Sequence, residues 1–181
     1  AADGTGVIAV ARTPGVAQAI GAVAPGLEVR EVDVAGPPTS TAIRAAGWAE
    51  AAILVAGATG ADEIVAPSGA RSTAVVGDDT IRVTVRCGRP LDPVVLRSYC
   101  IGAAHMAYSW VTSEALVVTD GEVHDLTVRS FGIVRAVDTP HIEVTIEPDD
   151  RSPVNGSDAV FAAVALATWR ARGLRSVWPT G

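Results

Sequence analysis

A nearly uncharged segment spans residues 93–116, and it limits what the chain can fold into more than any other stretch. Its two charged side chains lie near its ends, Pro93 suits the first turn of a helix, and Tyr99, Met106 and Trp110 recur at helical spacing. Small and apolar residues occupy the other faces, so the pattern predicts a long central helix that is buried on all sides. The segment is too short and too rich in serine and threonine for a membrane span, which takes about 20 predominantly apolar residues.

The chain has 181 residues, 49% of them hydrophobic, and a formal net charge of −6. This length and composition predict a single folded domain over residues 1–181, because no linker or internal repeat divides the chain. All the basic residues are arginines, and they form neither a basic stripe nor a basic amphipathic helix. The composition therefore argues against nucleic-acid binding and against binding to a membrane surface.

Several segments show the periodicities that strands and helices produce. Residues 6–12 and 27–34 are predicted strands on either side of a short helix, a β-α-β opening with parallel strands. Turn signals at 77–80 and 119–121 predict two hairpins, and residues 141–146 alternate as a further strand. The expected fold class is therefore α/β (mixed α+β), with the long buried helix at its centre and another helix near the C-terminus.

Two helix starts carry hydroxyl and amide groups suited to an anion. Thr39, Ser40 and Thr41 precede an alanine-rich helix predicted to run to about Ala56, and residues 155–158 supply cap residues for the last helix. Exposed N–H groups at a helix start can cradle a phosphate group. An ordinary N-cap uses the same residue types, so both interpretations stay open at this stage.

The remaining reactive side chains form no recognisable catalytic or metal motif. Cys87 and Cys100 are thirteen positions apart and have no partner at metal-ligand spacing, so both are expected to be reduced, buried and inert. His105 lies in the long helix among apolar neighbours, which favours a core role over a ligand role. The cysteine usage, together with an N-terminus unlike a signal peptide, predicts a cytoplasmic protein.

Four segments follow one another in a distinctive order. They are residues 102–116, which include Gly102-Ala103-Ala104-His105-Met106, then Asp120-Gly121-Glu122-Val123, then Asp138-Thr139-Pro140-His141-Ile142, and finally Val154-Asn155-Gly156-Ser157-Asp158. Together they resemble the C-terminal part of the large, molybdopterin-binding subunit of the xanthine dehydrogenase, aldehyde oxidase and carbon monoxide dehydrogenase family. Residues 33–46 resemble the segment that cradles the pterin there, so the resemblance covers most of the chain.

The resemblance implies roles for particular residues, some of them through departures from the family pattern. Met106, beside His105, stands where the family has a cofactor-contacting glutamine, and residues 13–18 replace a glycine-rich loop. Ser157 stands where the family has the glutamate that acts as general base, and Asp158 is the nearest carboxylate that could substitute for it. The implied cofactor-binding residues are Thr39, Ser40, Thr41, His105, Met106, Asn155 and Gly156, with Asp158 and Ser157 at the catalytic position.

By this resemblance, the chain is a subunit of a molybdenum-hydroxylase-like oxidoreductase and completes the cofactor domain of a larger molybdopterin-binding subunit. The molybdopterin-type molybdenum cofactor would be shared with that partner, and iron–sulfur clusters and FAD would be carried by other subunits of a hetero-oligomer. We expect no activity from the chain alone, because it lacks the rest of the cofactor site. Two alternatives stay open: a non-catalytic structural subunit that covers a partner's surface, and a free-standing small-molecule-binding protein on the same fold.

Overall fold

The computed structural model describes residues 1–36, 47–124, 127, 129–147 and 149–180. Its strands are β1 (Gly6–Ala11), β2 (Leu27–Val32), β3 (Ile64–Val65), β4 (Arg71–Val76), β5 (Thr80–Arg86), β6 (Val118–Thr119), β7 (Glu122–Val123) and β8 (His141–Ile146). Its helices are α1 (Val16–Val23), α2 (Trp48–Thr59), α3 (Pro93–Thr112) and α4 (Ser157–Ala171), with a 3₁₀ turn at Ala136–Asp138. This mixture of helices and strands confirms the predicted α/β class.

The described strands form two sheets and a small separate hairpin. β1 and β2 pair in parallel, which confirms the predicted β-α-β opening. The larger sheet has the order β3-β4-β5-β8, in which β4 and β5 are the first predicted hairpin and β5 and β8 are parallel neighbours. The second predicted hairpin is present as β6 and β7, and each of its strands has only 2 residues.

The hydrophobic core lies between one face of the larger sheet and helices α3 and α4, and it continues into buried residues of α1 and α2. Alternation along β5 turns Ile81, Val83 and Val85 inward, where they are almost completely buried. The buried positions of the two helices are mostly small, for example Ala103 and Ala107 of α3. Small side chains allow the helices to pack closely against each other and against the sheet, so many short side chains fill the core.

Helix α3 begins at Pro93 as expected, but the expectation that it is buried on all sides is wrong. Its buried stripe consists mainly of small residues, whereas Val94 is 77% exposed, Tyr99 60% and Met106 47%. Hydropathy cannot separate a face buried in the chain's own core from an apolar face that remains on the surface. Val94, Tyr99 and Met106 therefore form part of the surface, whereas the alanines of α3 and Val111 contact the core.

Helix α2 begins at Trp48, later than the sequence pattern indicates. Gly47 precedes it with a φ of 70°, a backbone conformation that glycine adopts readily. The predicted start at Thr39, Ser40 and Thr41 lies outside the described residues.

The other two helices agree more closely with the sequence. α1 begins at Val16, because Gly15 takes the left-handed conformation with φ 85° immediately before it. α4 begins at Ser157 as expected, and the chain leaves its C-terminus through Gly173, whose φ is 75°.

Candidate functional site

A groove of about 320 Å³ lies at the edge of the larger sheet where the parallel strands β5 and β8 both end. The chain leaves β5 through Cys87 and Gly88 to enter α3, and it leaves β8 through residues 147–156 to enter α4. The starts of α3 and α4 therefore come together at this edge, the usual place for a ligand crevice in sheets with parallel strands. We call it the carboxyl-edge groove; it is lined by Cys87, Pro90, Leu91, Asp92, Val95, Leu96, Tyr99, Pro153, Val154 and Asn155.

Two glycines beside this groove allow the chain segments that form it to approach each other closely. Gly88 has a φ of 82°, and a Cβ atom at this position would lie 2.2 Å from the backbone oxygen of Ser152. A Cβ atom on Gly156 would lie 2.8 Å from the Sγ atom of Cys87. Both distances are far below van der Waals contact, so the two segments approach this closely only because side chains are absent.

A hydrogen bond to Asp149 joins the same two segments, and an ion pair within one of them holds that carboxylate in place. The Nε atom of Arg151 donates to Oδ2 of Asp149 at 2.9 Å, and the N–H of Gly88 donates to the same oxygen at 3.0 Å. These interactions, that with Arg151 foremost, hold the pKa of Asp149 well below its ordinary value. Asp149 is therefore a structural anion that joins the end of β8 to the end of β5.

Cys87 lines the groove as a thiol rather than as a nucleophile. Burial raises the pKa of its thiol, and the nearby negative charge of Asp149 raises that pKa further. Cys87 and Cys100 are both buried thiols outside any disulfide, as the sequence predicts. A protonated thiol at neutral pH contributes packing at this position, because the thiolate is the reactive form of cysteine.

Side chains of this chain bond N–H groups at both helix starts beside the groove. The Oδ1 atom of Asp92 accepts hydrogen bonds from the N–H groups of Val94 at 2.8 Å and Val95 at 3.1 Å. The Oδ1 atom of Asn155 accepts from the N–H of Ser157 at 3.0 Å and from its hydroxyl at 2.9 Å. At residues 155–158, therefore, the side chain of Asn155 bonds the first helical N–H, while the N-cap residue itself, Gly156, has no side chain to contribute.

The structure gathers some of the sequence-predicted site residues and leaves others apart. Asn155 lines the groove, Gly156 lies behind it against Cys87, and Ser157 is buried in the first turn of α4. Asp158 lies in the same first turn and is half-buried. These four residues lie close together simply because they are consecutive in the sequence.

His105 and Met106 are not among the residues that line the groove. They lie thirteen and fourteen positions beyond Asp92 in α3, which at about 1.5 Å per residue is about 20 Å along the helix axis. The Nε2 atom of His105 lies 2.8 Å from the backbone oxygen of Val134, so the histidine fixes a loop. Met106 points to the surface, and the remaining predicted cofactor residues, Thr39 to Thr41, lie outside the described residues.

Sequence reasoning misses Cys87, Asp92 and Tyr99 as groove residues. Asp92 followed by Pro93 is a recognisable helix-start signature, so the capping role of Asp92 is accessible from sequence. The size of Tyr99 and its apolar segment favour a core position instead. The proximity of Cys87 to Asn155 depends on tertiary packing and carries no local signal.

Two absences apply to the described part of the chain. No cluster of three or more His, Cys, Asp or Glu side chains there has an arrangement suited to a metal ion. Of the helices in that part, none combines the length and hydropathy needed to cross a bilayer.

The fold is similar to part of larger proteins of known structure. The chain aligns with reconstituted CO dehydrogenase from Oligotropha carboxidovorans with a TM-score of 0.50 and 11% identity, over 95% of this chain and 33% of that chain. Quinoline 2-oxidoreductase from Pseudomonas putida 86 aligns with a TM-score of 0.46 and 12% identity, over 96% of this chain and 35% of that chain. At these identities the similarity concerns the fold.

One relative is similar in sequence. The membrane-bound aldehyde dehydrogenase (pyrroloquinoline-quinone) of Gluconacetobacter polyoxogenes is 28% identical over 109 residues, which are 58% of this chain and 14% of that protein. No family model matches the chain. The chain thus spans about a third of the similar structures and a smaller part of the sequence relative.

Proposed function

We propose that this chain is part of a molybdenum-hydroxylase-like oxidoreductase, in which it completes the molybdopterin-binding domain of a larger protein. The observation that carries the proposal is the fold shared with CO dehydrogenase over 95% of the chain. Carbon monoxide dehydrogenases belong to the family that the ordered sequence motifs resemble. The motifs and the fold therefore support the same family by separate routes.

The need for a larger protein rests on coverage and on surface. The chain corresponds to 33% of the CO dehydrogenase chain and to 14% of the aldehyde dehydrogenase relative. Helix α3 exposes Val94, Tyr99 and Met106, and Leu91 at its start is also exposed. Exposed apolar side chains of this size along one helix are typical of surfaces that another protein covers.

The described residues of the carboxyl-edge groove do not by themselves fit the anionic pterin cofactor. The N–H groups of Val94 and Val95 at the start of α3 already donate to the carboxylate of Asp92. The N–H of Ser157 already donates to the side chain of Asn155. A carboxylate at this position also repels a phosphate group. We therefore derive no chemical step through the cofactor from this groove, and we propose that the larger protein supplies the phosphate-binding groups.

Asp158 is the one residue through which the chain would act on the chemistry directly. The hydroxyl of Ser157 is bonded to Asn155 and replaces the family's glutamate without supplying a carboxylate. Asp158 follows it in the first turn of α4, where a carboxylate is favoured by the helix dipole. We propose Asp158 as the substitute base in the assembled enzyme.

The second candidate is a non-catalytic scaffold, and the buried Ser157 favours it. A chain that has lost the catalytic glutamate and bonds N–H groups at both helix starts with its own side chains needs no cofactor to be stable. Such a chain would be retained because it covers an apolar surface of its partner.

The first experiment is a measurement of molybdenum in the native assembly, purified through a tag on this chain, with the associated polypeptides identified. Stoichiometric molybdenum that is lost from the larger protein, purified through a tag of its own, when this chain is deleted supports a cofactor-domain role. Molybdenum that remains with the partner after the deletion supports the scaffold. An assembly without molybdenum contradicts both candidates.

The second experiment tests Asp158 within an active assembly. Asp158→Asn is expected to lower kcat by a factor of about 10² to 10⁴, the contribution typical of a general base, with the molybdenum content unchanged. The matched control is Asp150→Asn, a fully exposed carboxylate in the loop before α4. Equal turnover in both variants would remove Asp158 from the chemistry and leave the scaffold.

A further inference from the structure

The edges of the two sheets differ in how well they are protected against pairing with another strand. A strand edge presents unpaired N–H and C=O groups, and proteins guard such edges with charges, short strands or covering side chains. The edge strands of the described sheets are β1, β2, β3 and β8. Three of the four carry such a guard.

The guarded edges can be recognised individually. β3 has only 2 residues. β8 is covered at Val144, whose outward carbonyl accepts a hydrogen bond from the guanidinium of Arg97. β2 carries Glu28, Arg30 and Glu31 within its 6 residues, which makes it a poor template for an apolar strand.

β1 is the edge strand that has none of these forms of protection. Its sequence, Gly-Val-Ile-Ala-Val-Ala, contains no charged residue and no proline. The N–H of Arg12 donates to the carbonyl of Val32, and in a parallel ladder alternate residues bond to the same neighbour. Val7, Ala9 and Ala11 therefore direct their backbone groups away from β2, and no hydrogen bond joins these groups to another described element.

A groove of about 360 Å³ runs along this edge. Four consecutive residues, 8–11, line it, so it follows the strand's edge rather than one of its faces, since one face shows only alternate residues. Thr13 and Val16 of the first crossover, with Gly47 and Glu50 at the start of α2, form the opposite wall. The Glu50 side chain is exposed beside the groove, and partial desolvation of its carboxyl group raises its pKa, a cost that a cationic partner side chain would relieve.

We propose that the β1 edge groove binds an extended strand of the larger protein, which adds to β1 as a third strand. This inference rests on the proposed function, because the relatives' greater length is what supplies a polypeptide for the groove. A two-stranded sheet is marginal on its own, and strand addition gains backbone hydrogen bonds at once. The expected strand is uncharged where it passes Ile8 to Ala11 and carries an arginine or lysine near Glu50.

The test uses hydrogen exchange in the native assembly, purified through a tag on this chain. The amides of Ala9 and Ala11 are expected to exchange at least tenfold more slowly than those of Val29 and Glu31, which face outward on the guarded edge of β2. A photo-crosslinker at Val7 is expected to label an extended segment of the larger protein. Crosslinking to a second copy of this chain, or fast exchange at Ala9 and Ala11, would overturn the proposal.

Two proline variants provide a matched comparison. Ala9→Pro and Glu31→Pro each remove an outward N–H, and neither removes a hydrogen bond between β1 and β2. Ala9→Pro is expected to lower partner recovery at least tenfold, with Glu31→Pro close to wild type. Equal recovery for two folded variants would refute the third strand; if Ala9→Pro unfolds, the exchange measurement decides. A protected β1 edge in an assembly without molybdenum would keep this inference and reject the proposed function.

Discussion

Both parallel strand pairs of this protein are joined by a helical crossover, β1–α1–β2 near the N-terminus and β5–α3–β8 in the larger sheet. In the second unit, antiparallel β4 flanks β5, and α3 and α4 cover its inner face. In the first unit, the two strands have no further strand beside them in the described structure, and Val7 of β1 is 53% exposed. The same topology therefore has a neighbouring strand and covering helices in the larger sheet, whereas the β1–β2 pair has no further strand beside it in the described structure.

This difference separates two roles within one chain. The β5–β8 unit contains the buried strand residues of the larger sheet and the carboxyl-edge groove, and its segments are fixed by close backbone approaches and by hydrogen bonds to Asp149. The β1–β2 unit presents an uncharged edge that fits a strand from elsewhere. We infer that stability is concentrated in the larger sheet and that assembly depends on the smaller one.

The largest effect is expected at Gly88, where the end of β5 meets the segment before α4. Gly88→Ala places a Cβ atom 2.2 Å from the carbonyl oxygen of Ser152 and keeps an unfavourable φ of 82°. We expect a loss of more than about 4 kcal/mol in the free energy of unfolding, or failure to fold.

The matched control for this change is Gly60→Ala, at the end of α2. Gly60 has nearly the same φ, 80°, and a Cβ atom added there would have no neighbouring atom within 4 Å. Only the backbone strain of about 1–2 kcal/mol should remain in this variant. Urea unfolding of both variants measures the difference, and equal losses would show that the close approach to Ser152 is not what fixes the groove.

The next effect compares core packing in the two units. Ile81→Ala in β5 removes a side chain that is 0% exposed and should cost about 3 kcal/mol. Ile8→Ala in β1 removes a partly buried side chain and should cost about 1 kcal/mol. Chemical unfolding of the two variants tests the ranking, and the opposite order would mean that the β1–β2 unit is the more stable part.

The sequence predicts some features of the two crossover units and not others. Alternation in β5 and β8 correctly predicts strands, because one face of each is buried and the other carries charges. The Asp92-Pro93 pair correctly indicates the start of α3. The exposed face of α3 escapes prediction, since Val94, Tyr99 and Met106 are as apolar as core residues.

The carboxyl-edge groove could not be predicted for a different physical reason. It joins Cys87, Asp92 and Asn155, which are brought together by the parallel pairing of β5 with β8 across a long crossover. No local pattern encodes that pairing. By contrast, the uncharged sequence of β1 and the charges of β2 are visible in the sequence, but their meaning depends on knowing that both strands are edges.

An intermediate effect is expected from pH, because Asp149 is the anion that ties the ends of β5 and β8. Its folded-state pKa is lowered, chiefly by Arg151. Its stabilising contribution is therefore complete above the unfolded pKa of about 3.9 and is lost as the pH falls toward the folded value. Asp149→Asn should be less stable than the wild type at pH 7, and the gap should narrow below about pH 4.

Arg151→Gln sharpens this test. Without the guanidinium, the pKa of Asp149 should rise, so the acid unfolding transition should move to higher pH than in the wild type. Unfolding by urea at a series of pH values measures both variants. A gap between Asp149→Asn and the wild type that stays constant down to about pH 2 would contradict the structural role of this carboxylate.

The smallest effect concerns the outer face of the larger sheet, where Arg82 of β5 lies opposite Glu143 of β8. Their Nε and Oε2 atoms are 3.2 Å apart, and both side chains are more than half exposed. Solvent screening limits such a pair to about 0.2–1 kcal/mol, which a double-mutant cycle with Arg82→Ala and Glu143→Ala would measure. A coupling energy within that range, reduced by added salt, would leave the buried side chains and the close backbone approaches at Gly88 as the source of the larger sheet's stability. A coupling several times larger would mean that surface charge also distinguishes the two crossover units.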